Sequence, residues 1–387
     1  MDNVKTIAIY FPQFHAIPEN DEWWGKGFTD WNNVRKGYPL YEGHHQPRVP
    51  LNNNYYDLSQ LDTIRWQVEL AKKYGVYGFA IYHYWFDGKQ LLETPEKLFL
   101  QHPELDMPFC LTWANETWAR RWDGNDRQIL QLQTHEPTHE KWKEHFDYLR
   151  PFFADPRALR IDGRVVFQIY RPHLIDKVDE MIAYWRELAR EAGIGELYFM
   201  AIKSFDFPDS SILDAFDGVL LFEPHEATNS PQAKGMSYRL ENILRHLPES
   251  WVERLRAIRT KSRHSYKEYD YQKICDIAAA PHFTYRDKDV FDMAFLEWDN
   301  TARYREKATI YKGCTPPIFE KNFRRLVQKA EQKPEGRRFV YINAWNEWAE
   351  GTYLEPDEKN GYGYLEAVQR VMQEADAELS ACRAAAC

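Results

Sequence analysis

Two glutamates near the end of the chain, Glu347 and Glu350, have the residue type and spacing that suit acid–base chemistry. They are interleaved with Trp345 and Trp348, directly after a strand-like apolar run. Residues three apart point to opposite faces of an extended strand, but they are neighbours on one side of a helical turn. If the chain curls after Ala344, the two carboxylates therefore lie together. A carboxylate pair with one ionised and one protonated member is the apparatus that cleaves glycosidic bonds.

The run before this pair is the last of eight apolar runs of strand length. The runs are Thr6–Phe11, Val76–Tyr84, Pro108–Trp113, Val165–Tyr170, Leu197–Lys203, Val219–Glu223, Met293–Trp298 and Phe339–Ala344. Amphipathic stretches of helical period lie between or after them, namely Leu58–Tyr74, Lys141–Phe153, Val178–Ala192, Ile318–Glu331 and Tyr364–Glu374. Parallel strands read as continuous apolar runs because they are buried on both faces. Eight strand–helix units predict a closed (β/α)8 TIM barrel that occupies residues 1–387 as one domain.

A doubly wound open sheet is the competing architecture. Its nucleotide-binding version places a Gly-x-Gly-x-x-Gly motif after the first strand, and this chain has none there. The barrel is therefore the favoured fold.

Two long insertions interrupt the barrel pattern, one after strand 1 and one after strand 6. The first, Pro12–Asn54, is rich in tryptophan, and a loop of this length in a compact domain is usually functional. We interpret it as a wall of the substrate site. The second, Ala227–Lys288, carries a basic run that is either an anion-binding surface or a solvated helix face. The run comprises Arg254, Arg256, Arg259, Lys261 and Arg263.

Polar side chains end, or closely follow, seven of the eight predicted strands. They include Gln13 and His15, His83, Asn115 and Glu116, Arg171, Glu223 with His225 and Glu226, Glu297 with Asp299 and Asn300, and Asn346 with the two glutamates. In TIM barrels the active site lies at the carboxyl ends of the strands. A ring of such residues predicts a site at that end of the barrel.

Several of these candidates have an alternative structural role. His83, Tyr84 and Trp85 either line the cleft or cover a junction between a helix and the sheet. Glu116 either binds substrate or pairs with a nearby arginine. Asn346 either orients a carboxylate or caps the turn.

Composition excludes some classes of function. The chain has 387 residues, of which 44% are hydrophobic, and its net charge of −9 argues against nucleic acid as a partner. Aromatic residues make up 16%, and aromatic rings with polar tips suit the apolar faces of sugars. The five cysteines show no disulfide or metal spacing, and neither a signal peptide nor an apolar run of membrane-spanning length is apparent. We therefore expect a cytoplasmic protein.

Glu223, His225 and Glu226 are potential metal ligands, but their spacing matches no strong metal motif. We predict neither a metal ion nor another cofactor. An Asp-x-Asp sequence, Asp287-Lys288-Asp289, precedes the seventh strand and so falls at the opposite end of the barrel from the predicted site. We interpret it as a solvated turn.

Six motifs, spread from the first strand to the last, resemble the WbsX-like proteins of bacterial polysaccharide gene clusters. They are Tyr10-Phe11-Pro12-Gln13-Phe14-His15, Trp24-Gly25-Lys26-Gly27-Phe28-Thr29-Asp30-Trp31, Tyr82-His83-Tyr84-Trp85-Phe86, Trp113-Ala114-Asn115-Glu116, Trp298-Asp299-Asn300-Thr301-Ala302-Arg303 and Asn346-Glu347-Trp348-Ala349-Glu350-Gly351-Thr352. The last motif is also similar to one in glycoside hydrolase family 99, the endo-α-mannosidases and endomannanases.

The resemblance to family 99 implies a barrel fold and a retaining mechanism. It implies that Glu347 assists the 2-hydroxyl of the substrate in forming a 1,2-anhydro sugar, and that Glu350 is the general acid and then the base. Ala349 stands where the mannosidases commonly have histidine. That departure leaves mannose specificity open.

We therefore predict a retaining glycoside hydrolase that cleaves α-linkages in a bacterial polysaccharide or oligosaccharide, with Glu347 and Glu350 catalytic. The predicted substrate-binding residues are Tyr10, His15, Trp24, His83, Tyr84, Trp85, Asn115, Glu116, Trp118, Glu223, Asn346 and Trp348. The first alternative is a glycosyltransferase of polysaccharide biosynthesis, as WbsX-like proteins are often described. The second is a sugar-binding barrel without catalysis.

Overall fold

Eight parallel strands close into a barrel in the computed structural model, which describes residues 3–120, 125–205, 207–234, 266–281 and 283–386. The barrel strands are β1 Lys5–Tyr10, β2 Gly78–Phe86, β3 Phe109–Trp113, β4 Arg164–Ile169, β5 Leu197–Lys203, β6 Gly218–Leu221, β7 Asp289–Phe295 and β8 Phe339–Asn343. Each strand pairs in parallel with the next, and β8 pairs with β1. The predicted (β/α)8 fold is confirmed.

Burial explains why the strands were visible as apolar runs. Every residue of β2, β3, β5, β6 and β8 is buried. Polar side chains inside the barrel bond one another: the Gln168 amide of β4 donates to the Tyr341 hydroxyl of β8 at 3.0 Å and accepts from the Thr112 hydroxyl of β3 at 2.7 Å. The barrel interior is thus a packed core, as is usual for this fold.

Helices surround the barrel and cover its outer face. In the described part of the chain they are α1 Pro18–Trp24, α2 Trp31–Lys36, α3 Leu61–Lys73, α4 Thr94–Gln101, α5 His139–Ala154, α6 Val178–Glu191, α7 His225–Asn229, α8 Pro231–Lys234, α9 Tyr271–Ala279, α10 Thr301–Tyr304, α11 Pro316–Glu331 and α12 Gly363–Ala386. The predicted amphipathic stretches correspond to α3, α5, α6, α11 and α12.

Short elements extend the strand ends. The short strands are Lys89–Leu91, Trp118–Arg120, Asn125–Gln131, Arg160–Ile161, Lys267–Asp270, Trp298–Asp299, Thr309–Lys312, Asn346–Glu347 and Thr352–Tyr353. The 3-10 turns are Leu51–Asn53, Pro172–Leu174, Ser210–Ala215, Arg305–Lys307 and Trp348–Glu350. Most of these elements lie in the loops after the barrel strands.

Strand β7 departs from its predicted bounds of Met293–Trp298. It begins at Asp289, because two acidic residues near its start have partners: Asp289 pairs with Arg337 at 3.0 Å and Asp292 with Lys329 at 2.7 Å. It ends at Phe295, after which Trp298–Asp299 pairs with a different strand, Thr309–Lys312. An apolar pattern alone could not identify these ion pairs or the change of sheet.

The first insertion is an ordered layer at the carboxyl end of the barrel. It contains α1 and α2, and the indole of Trp31 donates to the carbonyl of Tyr56 at 2.8 Å. Trp31 also packs on Phe14 and Trp348. The first insertion is therefore fixed against the loop that carries the two glutamates.

The second insertion is described only in part. The described portions include α7, α8 and α9, and the basic run from Arg254 to Arg263 lies outside the described residues. Within the residues that the structure describes, no helix has the length and apolar character required to cross a membrane.

Candidate active site

The chain turns sharply after β8 and brings the two glutamates to one side. Asn346–Glu347 pairs antiparallel with Thr352–Tyr353, and Trp348–Glu350 forms a 3-10 turn between them. Gly351 closes the turn with a φ of 67°, and a Cβ there would lie 2.9 Å from the carbonyl oxygen of Asp299. Only glycine fits both the left-handed backbone and this close approach.

Both glutamates contact the same guanidinium, that of Arg303 on α10. Its Nη1 lies 2.7 Å from Glu350 Oε1, and its Nη2 lies 3.4 Å from Glu347 Oε2. The same Nη2 donates to Asp30 Oδ2 at 2.8 Å. Among the described residues, Glu347 Oε1 and Glu350 Oε2 have no hydrogen-bond partner. One oxygen of each carboxylate is thus held and the other is free to meet a ligand.

Burial sets the protonation of this pair. Desolvation raises the pKa of Glu347 well above its usual value, the Arg303 cation opposes that rise, and the charges of Glu350 and Asp30 add to it. Desolvation also raises the pKa of Glu350, again opposed by Arg303 and assisted by Asp30. Three carboxylates around one guanidinium favour a proton on the pair, which is what acid–base catalysis near neutral pH requires.

A cleft of about 1120 Å³, including space open to solvent, lies directly over the pair. The loops or ends of β1, β2, β3, β4, β6, β7 and β8 contribute to its lining. Its aromatic walls comprise Trp24, Tyr82, Tyr84, Trp118, Tyr170 and Phe222. Flat rings around two carboxylates form a surface suited to sugar rings.

The aromatic walls are fixed by contacts between different loops. Trp24 stacks on Phe28 with ring centroids 5.7 Å apart, and the Arg120 guanidinium lies 4.7 Å from the Trp24 ring. Trp118 meets Tyr84 edge to face at 5.0 Å. The first insertion and the short strand Trp118–Arg120, which follows β3, therefore meet at this side of the cleft.

Six of the predicted site residues lie in the cleft lining: Trp24, Tyr84, Glu116, Trp118, Glu347 and Glu350. Glu116 accepts a hydrogen bond from Arg171 Nε at 3.0 Å. It therefore pairs with an arginine, as its alternative structural role predicts, but this arginine is distant in sequence and not one that closely follows Glu116.

The other eight predicted residues are not part of the cleft lining. His83 and Trp85 alternate with Tyr82 and Tyr84 along β2, and successive residues of a strand point to opposite faces. His83 therefore points away from the cleft, where its Nδ1 lies 3.0 Å from Glu96 and its Nε2 lies 3.0 Å from His145. Trp85 stacks on the same His145.

Tyr10 and His15 of the first motif are buried beside the protein backbone and core. The Tyr10 hydroxyl donates to Gln67 at 2.7 Å, and His15 Nδ1 lies 2.9 Å from the carbonyl of Pro12. Their prediction as substrate-binding residues is not supported, because the first strand delivers Phe11 and Gln13 to the cleft instead.

Asn115 and Asn346 hold backbone segments together. The Asn115 amide bonds both the N–H and the carbonyl of Arg171, at 2.7 and 2.9 Å. The Asn346 amide does the same for Phe11, at 2.8 and 2.9 Å. With both amide groups occupied, these residues position the loops of the site and do not face the cleft.

Glu223 and Trp348 are likewise committed to the protein. Glu223 accepts from the N–H of Ala227 at 2.8 Å, and burial raises its pKa to about 8. The Trp348 indole donates to Glu355 at 2.6 Å. Their side chains hold the loops after β6 and β8 and are not part of the cleft lining.

The structure adds residues that the sequence analysis did not select as site residues. Arg303 and Asp30 contact the glutamates or each other, and Asn20 and Tyr82 line the cleft. Gln13 also lines it; it belongs to the predicted ring of polar residues but not to the predicted substrate-binding residues. Arg303 and Asp30 lie inside two of the six motifs that resemble the WbsX-like proteins, and this position was the one indication in the sequence that they belong to the site. Their role depends on contacts between residues far apart in sequence, so spacing could not show it.

The potential metal ligands after β6 are separated by other contacts. Glu226 pairs with Lys203 at 2.8 Å, and His225 packs edge to face on Trp298. Within the described ranges, no group of three or more histidine, cysteine or acidic side chains is arranged to hold a metal ion.

The sequence of the chain is similar to those of a known protein family. A family model described as glycosyltransferase WbsX matches residues 6–368. Two WxcX proteins from strains of Xanthomonas campestris pv. campestris are 36% identical over 384 residues. The match covers 98% of this chain and 51% of each relative, so the chain spans about half the length of the curated relatives it matches.

Two solved structures share the architecture at low sequence identity. The GH99 endo-alpha-mannosidase from Bacteroides thetaiotaomicron is 13% identical with a TM-score of 0.53, and the match covers 97% of this chain and 98% of that one. A glycoside hydrolase-like protein is 12% identical with a TM-score of 0.56, with coverage of 96% and 94%. At such identity these similarities establish the barrel fold alone.

Proposed function

The chain belongs to the WbsX family, and from that premise we propose that it is a retaining glycoside hydrolase acting on α-linkages in a bacterial polysaccharide or oligosaccharide. The observation that carries the proposal is the arrangement of Glu347 and Glu350 around Arg303 at the base of an aromatic cleft. One oxygen of each carboxylate has no hydrogen-bond partner in the described part of the chain, and burial favours a proton on the pair.

The two carboxylates differ in depth, but the roles assigned to them here follow the resemblance of their motif to family 99, because burial raises the pKa of both and that of the deeper Glu347 to well above its usual value. The side chain of Glu350 is 21% exposed and that of Glu347 is 9% exposed. In this scheme Glu350 protonates the leaving oxygen through Oε2 as the bond from that oxygen to the anomeric carbon breaks. Glu347 Oε1 accepts the proton of the substrate's 2-hydroxyl, whose oxygen attacks the anomeric carbon to give a 1,2-anhydro sugar. Direct attack by Glu347 is the alternative first step.

Water completes the reaction in the second step. Glu350, now ionised, takes a proton from the water that attacks the anomeric carbon, and Glu347 returns its proton to the 2-oxygen. In the neighbouring-group route, the first step moves one negative charge from Glu347 to Glu350. Both carboxylates contact Arg303, so the same cation stabilises the charge before and after the transfer.

A digestion screen tests the proposed activity. The wild-type protein and Glu350→Gln are incubated with a panel of bacterial polysaccharides and oligosaccharides, and released reducing ends are quantified. We expect wild-type release from at least one α-linked glycan and none from the variant. Equal release by both proteins would refute the assignment of Glu350.

A glycosyltransferase is the second candidate, because the family model carries that description. A nucleotide-sugar donor requires a site for its diphosphate. The charged side chains that line the cleft, within the described residues, are three carboxylates and one arginine, which disfavours a diphosphate. Asp289 of the Asp-x-Asp sequence is at the amino end of β7, bonded to Tyr198 and Arg337. Calorimetric titration with nucleotide sugars and with free oligosaccharides separates the two candidates.

A further inference from the structure

Four polar side chains in the lining of the cleft have no hydrogen-bond partner among the residues that the structure describes. Gln13, Asn20, Tyr82 and Tyr84 line the cleft and are 4%, 0%, 9% and 7% exposed. Among the described residues, none of their side-chain polar groups makes a hydrogen bond, and both amide atoms of Asn20 are buried without a partner. This set is called the recognition wall below.

Buried polar groups in proteins are nearly always hydrogen-bonded, because an unmet donor or acceptor has lost water without compensation. Behind the cleft, Asn115 and Asn346 follow that rule, because backbone groups occupy both of their amide groups. Asn20 departs from it, since both of its amide atoms are buried and have no partner among the described residues. The other three wall residues add polar groups that no described residue engages, and this combination at the cleft lining points to a ligand.

The wall is assembled by elements that fix its orientation. Tyr82 and Tyr84 are two apart on β2 and therefore share a face of the strand. Gln13 follows β1, the neighbour of β2, and Asn20 is on α1. Burial raises the pKa of Tyr82 and of Tyr84, and the charge of Glu347 adds to both rises, so both phenols stay protonated. Both line the same cleft as Glu347 and Glu350.

The chemistry of the wall indicates what it binds. All four side chains are uncharged at neutral pH. A planar amide presents an acceptor beside a donor, which matches two adjacent hydroxyl groups, and each phenol can donate or accept. A phosphate or carboxylate group would find no cation on the wall and would approach carboxylates across the cleft.

We infer that the recognition wall selects an uncharged sugar with two adjacent free hydroxyl groups, held so that its anomeric carbon faces Glu347 and Glu350. This inference rests on the proposed function and adds to it the class of sugar and the residues that read it. It predicts that uronic acids and sugar phosphates are poor ligands of the cleft.

Asn20→Leu separates recognition from structural support. Leucine is close to asparagine in size and has no polar atom, so the variant removes the unpartnered amide. We expect its unfolding free energy to equal or exceed that of the wild type and its sugar affinity to fall about tenfold or more. A matched control is Asn322→Leu in α11, where the amide bonds Ile318 and Gln272. The control should lose stability and keep sugar affinity.

Binding is measured by saturation-transfer NMR, with the full chain and millimolar ligand. The probes are methyl glycosides of neutral hexoses, their deoxy analogues that lack one of two adjacent hydroxyls, glucuronate and glucose 1-phosphate. Binding of neutral glycosides, weakened by deoxygenation and by Asn20→Leu, supports the inference. Binding of only the charged sugars, no binding of any neutral glycoside, or unchanged affinity in Asn20→Leu overturns it.

This outcome is distinguishable from failure of the proposed function. If Glu350→Gln abolishes hydrolysis while Asn20→Leu leaves binding unchanged, the recognition wall is wrong and the hydrolase stands. If neutral sugars bind the wall but Glu350→Gln hydrolyses glycans as the wild type does, the wall stands and the catalytic assignment fails.

Discussion

Glu347 and Glu350 share a loop with Glu355, yet their carboxylates have opposite surroundings. Glu355 accepts from the Tyr56 hydroxyl at 2.6 Å, the Trp348 indole at 2.6 Å and the Gln67 amide at 2.7 Å. Glu347 and Glu350 share one arginine and line the cleft, and one oxygen of each has no hydrogen-bond partner within the described ranges. The difference indicates that a saturated carboxylate holds the loop in place, whereas the unsaturated pair is available to substrate.

The same contrast separates the polar residues of the barrel mouth. Asn115 and Asn346, whose amide groups the backbone occupies, lie behind the cleft, whereas Asn20 and Tyr84, whose side chains have no hydrogen-bond partner among the described residues, line it. Gln133 shows that the contrast does not hold for every buried polar group, because both of its amide atoms are unpartnered among the described residues and it lies outside the lining. For the residues around the glutamates it gives a rule: a saturated side chain supports the site, and an unsaturated one meets the ligand.

Substitution of either cleft glutamate by glutamine should affect activity far more than stability. We expect Glu347→Gln and Glu350→Gln to lower kcat/KM by about 10²–10⁴-fold or more, the typical contribution of a general acid or base. The unfolding free energy should change by about 1 kcal/mol or less, because each variant removes one charge from a crowded anionic site. Initial rates and urea denaturation measure the two effects. A variant with a large loss of unfolding free energy, whose remaining folded molecules keep the wild-type kcat/KM, would contradict the rule.

Removal of the shared cation should affect both properties. Arg303→Met leaves Glu347, Glu350 and Asp30 buried together without their counter-ion, which should destabilise the fold by about 3–5 kcal/mol. The pKa values of both glutamates should rise further, so the pH optimum of the remaining activity should move upwards. Arg303→Lys is the matched control, because lysine keeps the positive charge but lacks the planar set of N–H donors that contacts several carboxylates at once. A stable Arg303→Met protein with an unmoved pH profile would argue against the central role of this arginine.

Glu355 should control the pH dependence of stability. Burial raises its pKa to about 7 in the folded protein, from about 4.3 in the unfolded chain. The folded state therefore binds a proton that the unfolded state has lost, and stability from this group is present at low pH and declines as pH rises through 7. We expect the unfolding free energy of the wild type, relative to Glu355→Gln, to fall by about 2–3 kcal/mol between about pH 5 and pH 8. Parallel urea titrations of the two proteins measure this difference, and parallel pH curves would disprove it.

Two tyrosine-to-phenylalanine substitutions form a closely matched pair, and we expect small changes of stability from both. Tyr56→Phe removes a hydroxyl that donates to Glu355, and we expect a loss of about 1–2 kcal/mol of stability. Tyr84→Phe removes a hydroxyl with no partner among the described residues, so stability should change by less than about 0.5 kcal/mol. Thermal denaturation with both variants side by side checks the contrast. Equal losses would mean that the cleft hydroxyl is structural.

The sequence was sufficient to predict the barrel and the turn that joins Glu347 to Glu350. Continuous apolar runs report burial on both faces of parallel strands, and the spacing of the glutamates reports the turn. The predicted bounds of β7 were wrong because ion pairs stabilise polar residues at its start. Such partners come from elsewhere in the chain, so local pattern does not show them.

The cleft lining was predicted less well than the fold, for two physical reasons. Alternation along β2 places Tyr82 and Tyr84 on the cleft face and His83 on the other, so the prediction of three consecutive cleft residues, His83 to Trp85, was incompatible with a strand. Whether Asn115 or Asn20 meets a ligand depends on which one the backbone already occupies. That property follows from tertiary contacts and is absent from the sequence pattern.

The stereochemistry of hydrolysis shows whether Glu347 and Glu350 act with retention. With an α-linked glycan that the digestion screen identifies, proton NMR recorded during the first turnovers shows which anomer of the product forms before mutarotation. We expect the α-anomer to appear first with the wild-type protein and Glu350→Gln to form no product. First appearance of the β-anomer, or product formation by Glu350→Gln at the wild-type rate, would contradict retention by this pair of glutamates.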